Sequence, residues 1–304
     1  MVRRNIYTDV IILFVILLLF SPLLGRNSLY LMLAYSIVSF IVVLLFSRDP
    51  VKASFIGLSE IFIVLMLIPM ISAIEQYISQ AIAYSRRLLF WKALYYTVIS
   101  SFISSLLGVF FAVPFGYAYS RELLPFRDVI RSFIEVPMML PHTIAGILLL
   151  GVFSKEGLWQ ISLTDTLTGI VVAMFFVSAP IAVNQMIEAF NHVPERYEHV
   201  SRSLGATPFK TFLYVLLPMV RSDIVSAFIT SFMRAMSEFG AVIVITSYPP
   251  IISLYAFREL SLSGIVGALA VSTLSILIMV PVIIAIKLFI RRKSYGRAGT
   301  GEGI

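Results

Sequence analysis

Long apolar segments alternate with short polar segments along this chain of 304 residues. A helix needs about 20 mostly apolar residues to cross the hydrocarbon of a bilayer. Because hydrocarbon offers no water to backbone polar groups, apolar segments of this length predict α-helices, which make their backbone hydrogen bonds within the segment. The predicted spans are 8–24, 29–47, 54–74, 94–118, 133–153, 167–187, 219–246 and 263–289. The pattern therefore predicts an all-α polytopic membrane protein with about eight transmembrane helices.

Composition supports this class, since 59% of the residues are hydrophobic and only 13% are charged. Soluble domains carry roughly 25% charged residues. The absence of cysteine excludes disulfides, thiolate metal sites and a cysteine nucleophile. The first apolar segment, 8–24, is not followed by a small-residue cleavage site, so we expect a retained helix and no cleaved signal peptide.

The positions of lysine and arginine predict how the chain is oriented. With the N-terminus in the cytoplasm, the cytoplasmic segments hold 14 of these residues and the outer segments hold 6. Cytoplasmic loops carry the excess of Lys and Arg in membrane proteins. We therefore expect a multi-pass protein of the cell membrane with both termini in the cytoplasm. The outer segment 75–93, read as a long linker, departs from the rule because it holds three basic residues.

The longest interruption of the apolar pattern, 188–218, is predicted to be a cytoplasmic helix–turn–helix. Asn191 or His192 is a suitable N-cap for its first helix. The residues that would end this helix and begin the next, by their preferences for C′, N-cap and N1 positions, are Gly205, Thr207 and Pro208. Such well-marked helix ends favour a docking surface, with an ordinary capped loop as the alternative.

Polar residues and prolines inside predicted spans indicate a translocation path, because ionisable groups in a membrane usually face a bundle interior or water. Arg234 and Glu238 are four residues apart, so they could pair on one helix face; the pair could equally steady the bundle. Pro137, Pro141 and Pro180 predict kinks near polar residues. The predicted path or gate residues are His142, Thr143, Ser178, Asn184, Arg234, Ser237 and Glu238.

An enzyme is not indicated by the sequence. No G-x-x-x-x-G-K-[ST] segment occurs, so the chain is not expected to hydrolyse nucleotide with a P-loop. The three histidines, His142, His192 and His199, do not have a metal-ligand spacing within a span. A transporter driven by an ion gradient, using Glu60 or Glu238, is an alternative, although no paired repeats are visible.

Residues 188–240 resemble the permease subunit of a binding-protein-dependent ABC importer. The family's cytoplasmic signature is E-A-A, three residues, Gly, nine residues, Ile, any residue, Leu-Pro. Here Gly205, Val215 and Leu217-Pro218 match at this spacing, whereas 199–201 is His-Val-Ser in place of E-A-A.

The finer resemblance is to molybdate and tungstate permeases, with sulfate and thiosulfate permeases sharing much of the pattern. The similar stretches are 140–147, 176–180 with Asn184, 203–207, and 234–241 followed by Tyr248-Pro249. The resemblance covers 54–290, with a type I transmembrane domain at about 90–289. Residues 1–53 would be an N-terminal extension with two helices, and 291–304 a disordered cytoplasmic tail.

The resemblance implies the function and the partners. The chain would pass tungstate or molybdate, with sulfate, thiosulfate or another substrate as the alternative. It would work as a homodimer with two copies of an ABC ATPase and an external substrate-binding protein. No cofactor would be bound by this chain, because ATP and Mg²⁺ belong to the ATPase. The implied ATPase-coupling residues are Glu195, His199, Arg202, Gly205, Ala206, Thr207, Pro208, Leu217 and Pro218.

Overall fold

The computed structural model describes residues 50–298, together with four helical positions before them: Ala34, Ile37, Val38 and Ile41. The two predicted spans at 8–24 and 29–47 lie almost wholly outside the described residues. The extension 1–53 therefore remains a prediction.

Within residues 50–298 every regular element is a helix. The helices are α1 Pro50–Ser85, α2 Leu88–Ser120, α3 Arg127–Met139, α4 His142–Val152, α5 Leu167–Asn191, α6 Arg196–Ser203, α7 Pro208–Thr211, a π-helix Phe212–Leu216, α8 Leu217–Met219, α9 Arg221–Met236, α10 Gly240–Ile245 and α11 Ile252–Ala298.

Four helical stretches in the described part of the chain are long and apolar enough to cross a membrane, and two bent helix pairs raise the number to six. The four are Gly57–Ser85, Leu88–Ser120, Leu167–Asn191 and Ile252–Ala285. The bent pairs are α3 with α4, and Pro208–Met219 with α9. The all-α polytopic class is confirmed, and six matches the number of spans predicted within 54–290.

Two predicted boundaries are wrong. Segment 75–93 is not a linker, because α1 continues to Ser85 and only Arg86 and Arg87 separate it from α2. Its Ala, Gln and Ile residues allow the helix to extend beyond the apolar run. The last helix begins at Ile252 and reaches Ala298, into the segment predicted as a disordered tail. Its backbone is non-helical at Gly264, where φ is 67°.

Two predicted spans are broken helices. In the fifth span, α3 and α4 meet at 112°, and Leu140 is extended, as expected for a residue that precedes proline. In the seventh span, a 68° bend precedes α9, and α9 ends at Met236, four residues before α10 begins. By contrast, α5 remains helical through Pro180.

The chain divides into two compact units, one with residues up to Arg87 and Glu259–Ile286, and the other with Leu88–Arg258 and the residues from Lys287 onward. In the first unit, the Glu259 carboxylate accepts hydrogen bonds from the Tyr84 hydroxyl (2.6 Å) and the Ser263 hydroxyl (2.8 Å). Arg87, whose side chain is 51% exposed, forms an ion pair of 3.3 Å with the buried Glu259. Polar side chains therefore link the two separate sequence segments that make up this unit.

The second unit is built around α2 packed along α5. The face of α2 that α5 covers carries small residues, including Ser101, Ser104 and Gly108. Small residues let helix backbones approach closely in membranes. At Gly116 a Cβ atom would lie 2.7 Å from the backbone of Met186, so only glycine fits there without displacement. Helices α4, α9 and α10 all pack against α5.

Candidate functional site

The segment 195–218, which we term the coupling segment, has the turn that the sequence predicts. Gly205 adopts φ 86° after α6 ends. The N–H of Gly205 donates to the Arg202 carbonyl (2.9 Å), and the N–H of Ala206 donates to the Ser201 carbonyl (3.1 Å). These two bonds form a Schellman motif, which satisfies carbonyls that would otherwise be unpaired at the helix end. The turn is therefore fixed by its own backbone.

The second helix of the coupling segment also begins as predicted. The Thr207 hydroxyl accepts a hydrogen bond from the N–H of Lys210 (3.3 Å), and Pro208 occupies N1. The predicted caps of the first helix are wrong. Helix α5 runs through Asn191, and the N–H of His192 still donates to the Glu188 carbonyl (3.2 Å). Proline at 194 cannot continue this bonding, so the break falls after His192.

A buried ion pair attaches the coupling segment to the membrane helices, and the sequence did not reveal it. Arg121, just past the end of α2, lies 2.5 Å from the Glu198 carboxylate of α6 (Nε to Oε1). The two side chains are 9% and 7% exposed. Arg121 also donates to the carbonyls of Phe190 (3.3 Å) and Val193 (2.9 Å). One guanidinium thus connects α2, the end of α5 and α6.

Glu198 has further partners that hold it in place. The Tyr117 hydroxyl donates to Oε2 at 3.0 Å, and Arg202 lies 3.7 Å from the same oxygen. The family signature places its glutamate at 199, where this chain has an exposed His199. In the sequence, the signal for this contact was Glu198, an acidic residue one position before the one at which the signature has its glutamate.

The coupling segment also exposes large apolar side chains. Leu204 is 83% exposed, Phe209 is 72% exposed and Val200 is 59% exposed. Most of the predicted coupling residues are exposed too, while Ala206 and Leu217 are half-buried. Exposed apolar side chains mark a contact with another molecule when they form a contiguous patch.

A second polar group lies where the two broken spans meet. Arg234 Nη2 lies 2.8 Å from Nε2 of His142 and 3.1 Å from Oε2 of Glu238. Arg234 Nη1 donates to the Ser237 hydroxyl at 3.2 Å. Oε1 of Glu238 accepts the N–H of Ala241 at 2.8 Å. Four of the predicted path residues are therefore brought together, and we term them the Arg234 cluster: His142, Arg234, Ser237 and Glu238.

The Arg234 cluster depends on the helix breaks. Glu238 lies beyond the end of α9, so the prediction that it pairs with Arg234 on one helix face is wrong, although the pair itself forms. A Cβ atom on Gly240 would lie 2.6 Å from the Cβ of His142, so glycine permits this approach of the two spans. Thr143 follows His142 on α4 and is exposed.

The two remaining predicted path residues lie on α5, away from the Arg234 cluster. Ser178 is fully buried in this structure, and its role on a path stays a prediction. Its carbonyl accepts a hydrogen bond from Ser231 of α9 (3.3 Å), because this face of α5 packs against a neighbouring helix. Asn184 lines a polar cavity of about 540 Å³ with Arg131, Glu188 and Asp223 among its other walls.

A carboxylate joins two of the loops that are predicted to face outward. Asp165 accepts hydrogen bonds from the N–H groups of Ser247 (2.6 Å) and Tyr248 (3.3 Å) and from the Thr246 hydroxyl (3.4 Å). The hydrogen bond from Ser247 is the largest cause that holds the pKa of Asp165 below its usual value. The other two hydrogen bonds and the positive charge of Arg258 lower this pKa further. Asp165 therefore stabilises this loop pair in its ionised form.

Among residues 50–298, no three His, Asp or Glu side chains are grouped as possible ligands of a metal ion.

Long apolar helices, two bent helix pairs and a buried ion pair where they meet are typical of a membrane transport subunit. Residues 104–295 match the model of the family described as "binding-protein-dependent transport system inner membrane component". The chain belongs to this family and is an ABC importer permease.

Its relatives include permeases for different oxyanions. It is 30% identical over 203 residues to the molybdate/tungstate transport system permease protein WtpB of Thermococcus kodakarensis, covering 67% of this chain and 80% of that one. It is 35% identical over 158 residues to the protein of the same name from Pyrococcus abyssi, covering 52% and 61%. It is 29% identical over 206 residues to the sulfate permease CysT of Escherichia coli, covering 62% and 73%.

A solved structure of an amino acid ABC transporter with histidines has the same fold. The TM-score is 0.54 at 20% identity, over 71% of this chain and 98% of the other. This likeness supports the type I permease architecture.

Proposed function

We propose that this permease passes a tetrahedral oxyanion, tungstate or molybdate, delivered by an external binding protein. Similarity to permeases named for these anions supports the assignment, at 30–35% identity. Sulfate is the second candidate, because the sulfate permease relative is 29% identical over a similar length. The gradient-driven alternative is set aside by membership of the importer family.

The observation that carries the coupling part of the proposal is the coupling segment itself. Its inner side is tied to α2 by the buried pair of Arg121 and Glu198, while Leu204 and Phe209 are exposed. We propose that this exposed side inserts into a groove on an ABC ATPase. A shift of the ATPase would then move α2 and α5 directly, because Arg121 bonds to both regions.

Two permeases and two ATPases complete the proposed transporter. The coupling segment lies in the cytoplasm in this arrangement, as do both termini, and the segments 154–166 and 247–262 face the binding protein. ATP and Mg²⁺ are bound by the ATPases, whose closure turns the permease pair from inward-open to outward-open. Asp165 would hold the two outer loops together as a receiving surface.

Reconstitution in liposomes tests this function. The permease is combined with its ATPase and with binding protein loaded with tungstate, molybdate or sulfate, and ATP hydrolysis and anion uptake are measured together. We expect tungstate and molybdate to stimulate both. Stimulation by sulfate alone would support the second candidate, and no response to any of the three would refute the oxyanion assignment.

A docking variant tests the coupling part separately. Phe209→Ala and Leu204→Ala should reduce binding of the ATPase, because both side chains are largely exposed and contribute little to the fold. Leu158→Ala, an equally exposed leucine in the loop predicted to face outward, is the matched control. Equal ATPase binding by all three variants would contradict the proposed docking surface.

A further inference from the structure

The Arg234 cluster combines a buried anion with a partly exposed cation. The Glu238 side chain is 1% exposed, while the Arg234 side chain is 24% exposed. One carboxylate oxygen is held by the N–H of Ala241 at 2.8 Å. The other lies 3.1 Å from Arg234 and 3.8 Å from Nδ1 of His142. The carboxylate therefore has a fixed position behind the guanidinium.

The exposed side of the cluster carries groups that suit an anion. Ser237 and Thr143 are exposed hydroxyl residues, and the His142 ring is partly exposed. Within the described part of the chain, Arg234 Nη1 donates a hydrogen bond only to the neutral Ser237 hydroxyl. Because the guanidinium is partly exposed and the carboxylate is buried, an oxyanion arriving from solvent would meet Arg234 before Glu238. Guanidinium binds tetrahedral oxyanions through parallel N–H bonds.

We propose that Arg234 binds the passing oxyanion transiently, and that Glu238 keeps this binding weak by neutralising the same guanidinium. The inference rests on the proposed function. An unpaired arginine in a low-dielectric path would hold a divalent anion strongly and delay its release. The carboxylate at 3.1 Å offsets most of that attraction. Because the N–H of Ala241 holds the other carboxylate oxygen, the carboxylate stays beside Arg234 while the anion binds and leaves.

The variant Glu238→Gln removes the negative charge of this side chain and leaves its position in the cluster unchanged. The amide has the same shape and retains an oxygen to accept the N–H of Ala241. Removing the negative charge should strengthen oxyanion binding on the order of tenfold or more. Transport turnover should fall, since release then becomes slow. Glu122→Gln is the matched control, because Glu122 also pairs with an arginine (2.8 Å to Arg127) but is 73% exposed.

Binding is measured on the purified permease without partners, as the rise in thermal midpoint with sodium tungstate, molybdate or sulfate over sodium chloride of equal ionic strength. We expect a larger rise for Glu238→Gln than for the natural chain and Glu122→Gln, and no rise for the double variant Arg234→Gln/Glu238→Gln. Equal rises for Glu238→Gln and the natural chain would overturn the proposal and leave the pair as a structural contact.

A second variant keeps the test decisive if Glu238→Gln does not fold. Arg234→Lys retains the positive charge and a possible pair with Glu238 but lacks the forked donors, so uptake of divalent oxyanion should slow. Unchanged uptake would also overturn the proposal. Failure of the natural chain to transport any oxyanion in liposomes refutes the proposed function instead, and the two results are therefore distinguishable.

Discussion

The buried pair of Arg121 and Glu198 should decide whether ATPase movement reaches the membrane helices. We consider Arg121→Met, which preserves the apolar stem of the side chain and removes its charge. Glu198 would remain 7% exposed, with the Tyr117 hydroxyl at 3.0 Å and Arg202 at 3.7 Å as its nearest partners. The carbonyls of Phe190 and Val193 would lose a donor as well.

The magnitude follows from these contacts. Breaking a buried ion pair by removing one partner costs about 3–5 kcal/mol. Because Tyr117 and Arg202 still compensate Glu198 in part, we expect about 3 kcal/mol of lost stability, near the lower end of that range. The double variant Arg121→Met/Glu198→Met should lose less than Arg121→Met alone, since it buries no unpaired charge.

Two measurements check this prediction. Denaturant unfolding in detergent gives the change in unfolding free energy, and stimulated ATP hydrolysis with uptake in liposomes gives the coupling ratio. We expect Arg121→Met to hydrolyse ATP with fewer anions transported per ATP. Arg127→Gln is the control, because its pair with Glu122 (2.8 Å) joins side chains that are 33% and 73% exposed and should contribute less than about 1 kcal/mol. If Arg121→Met were no more harmful than Arg127→Gln, the reasoning would be refuted.

Three further changes test other parts of the structure. Gly205→Ala should cost about 1 kcal/mol and weaken ATPase binding in a pull-down, because its φ of 86° disfavours a side chain, whereas Ser203→Ala should have little effect. Gly240→Ala should lower the thermal midpoint and disturb the Arg234 cluster, since its Cβ would lie 2.6 Å from His142. An unchanged midpoint would contradict this prediction, because the backbone at the helix break would then have moved without a loss of stability. The thermal midpoint of the natural chain should fall more steeply with acid than that of Asp165→Asn. The pKa of Asp165 is lower in the folded chain than in the unfolded chain, where it is about 3.9. The ionised Asp165 therefore stabilises the fold above about pH 3.9, and this stability is lost as the pH falls through the pKa of the folded state.

Local sequence signals predicted the ends of helices where they were strong. The positive φ of Gly205 and the capping by Thr207 follow from residue preferences that need no distant contact. The same reasoning failed at Asn191 and His192, because both still found carbonyl partners within α5. A good cap residue is not used as one when the preceding helix can continue.

The site was predicted less completely than the fold. Polar residues in apolar spans correctly singled out Arg234 and Glu238, which form the ion pair. Ser178 was placed on the path for the same reason, but it packs against α9. Polarity alone does not tell which side of a buried helix faces a neighbour.

The sequence by itself determined the membrane class, the six helical segments of 54–290 and the turn at Gly205, because hydropathy and backbone preferences act over a few residues. Only the tertiary structure decided which distant side chains meet. Arg121 and Glu198 are 77 positions apart, and Arg234 and His142 are 92 apart. Their contacts depend on the close packing of α2 and α5 and on the angles of two broken spans, which arise from the packing of the whole unit.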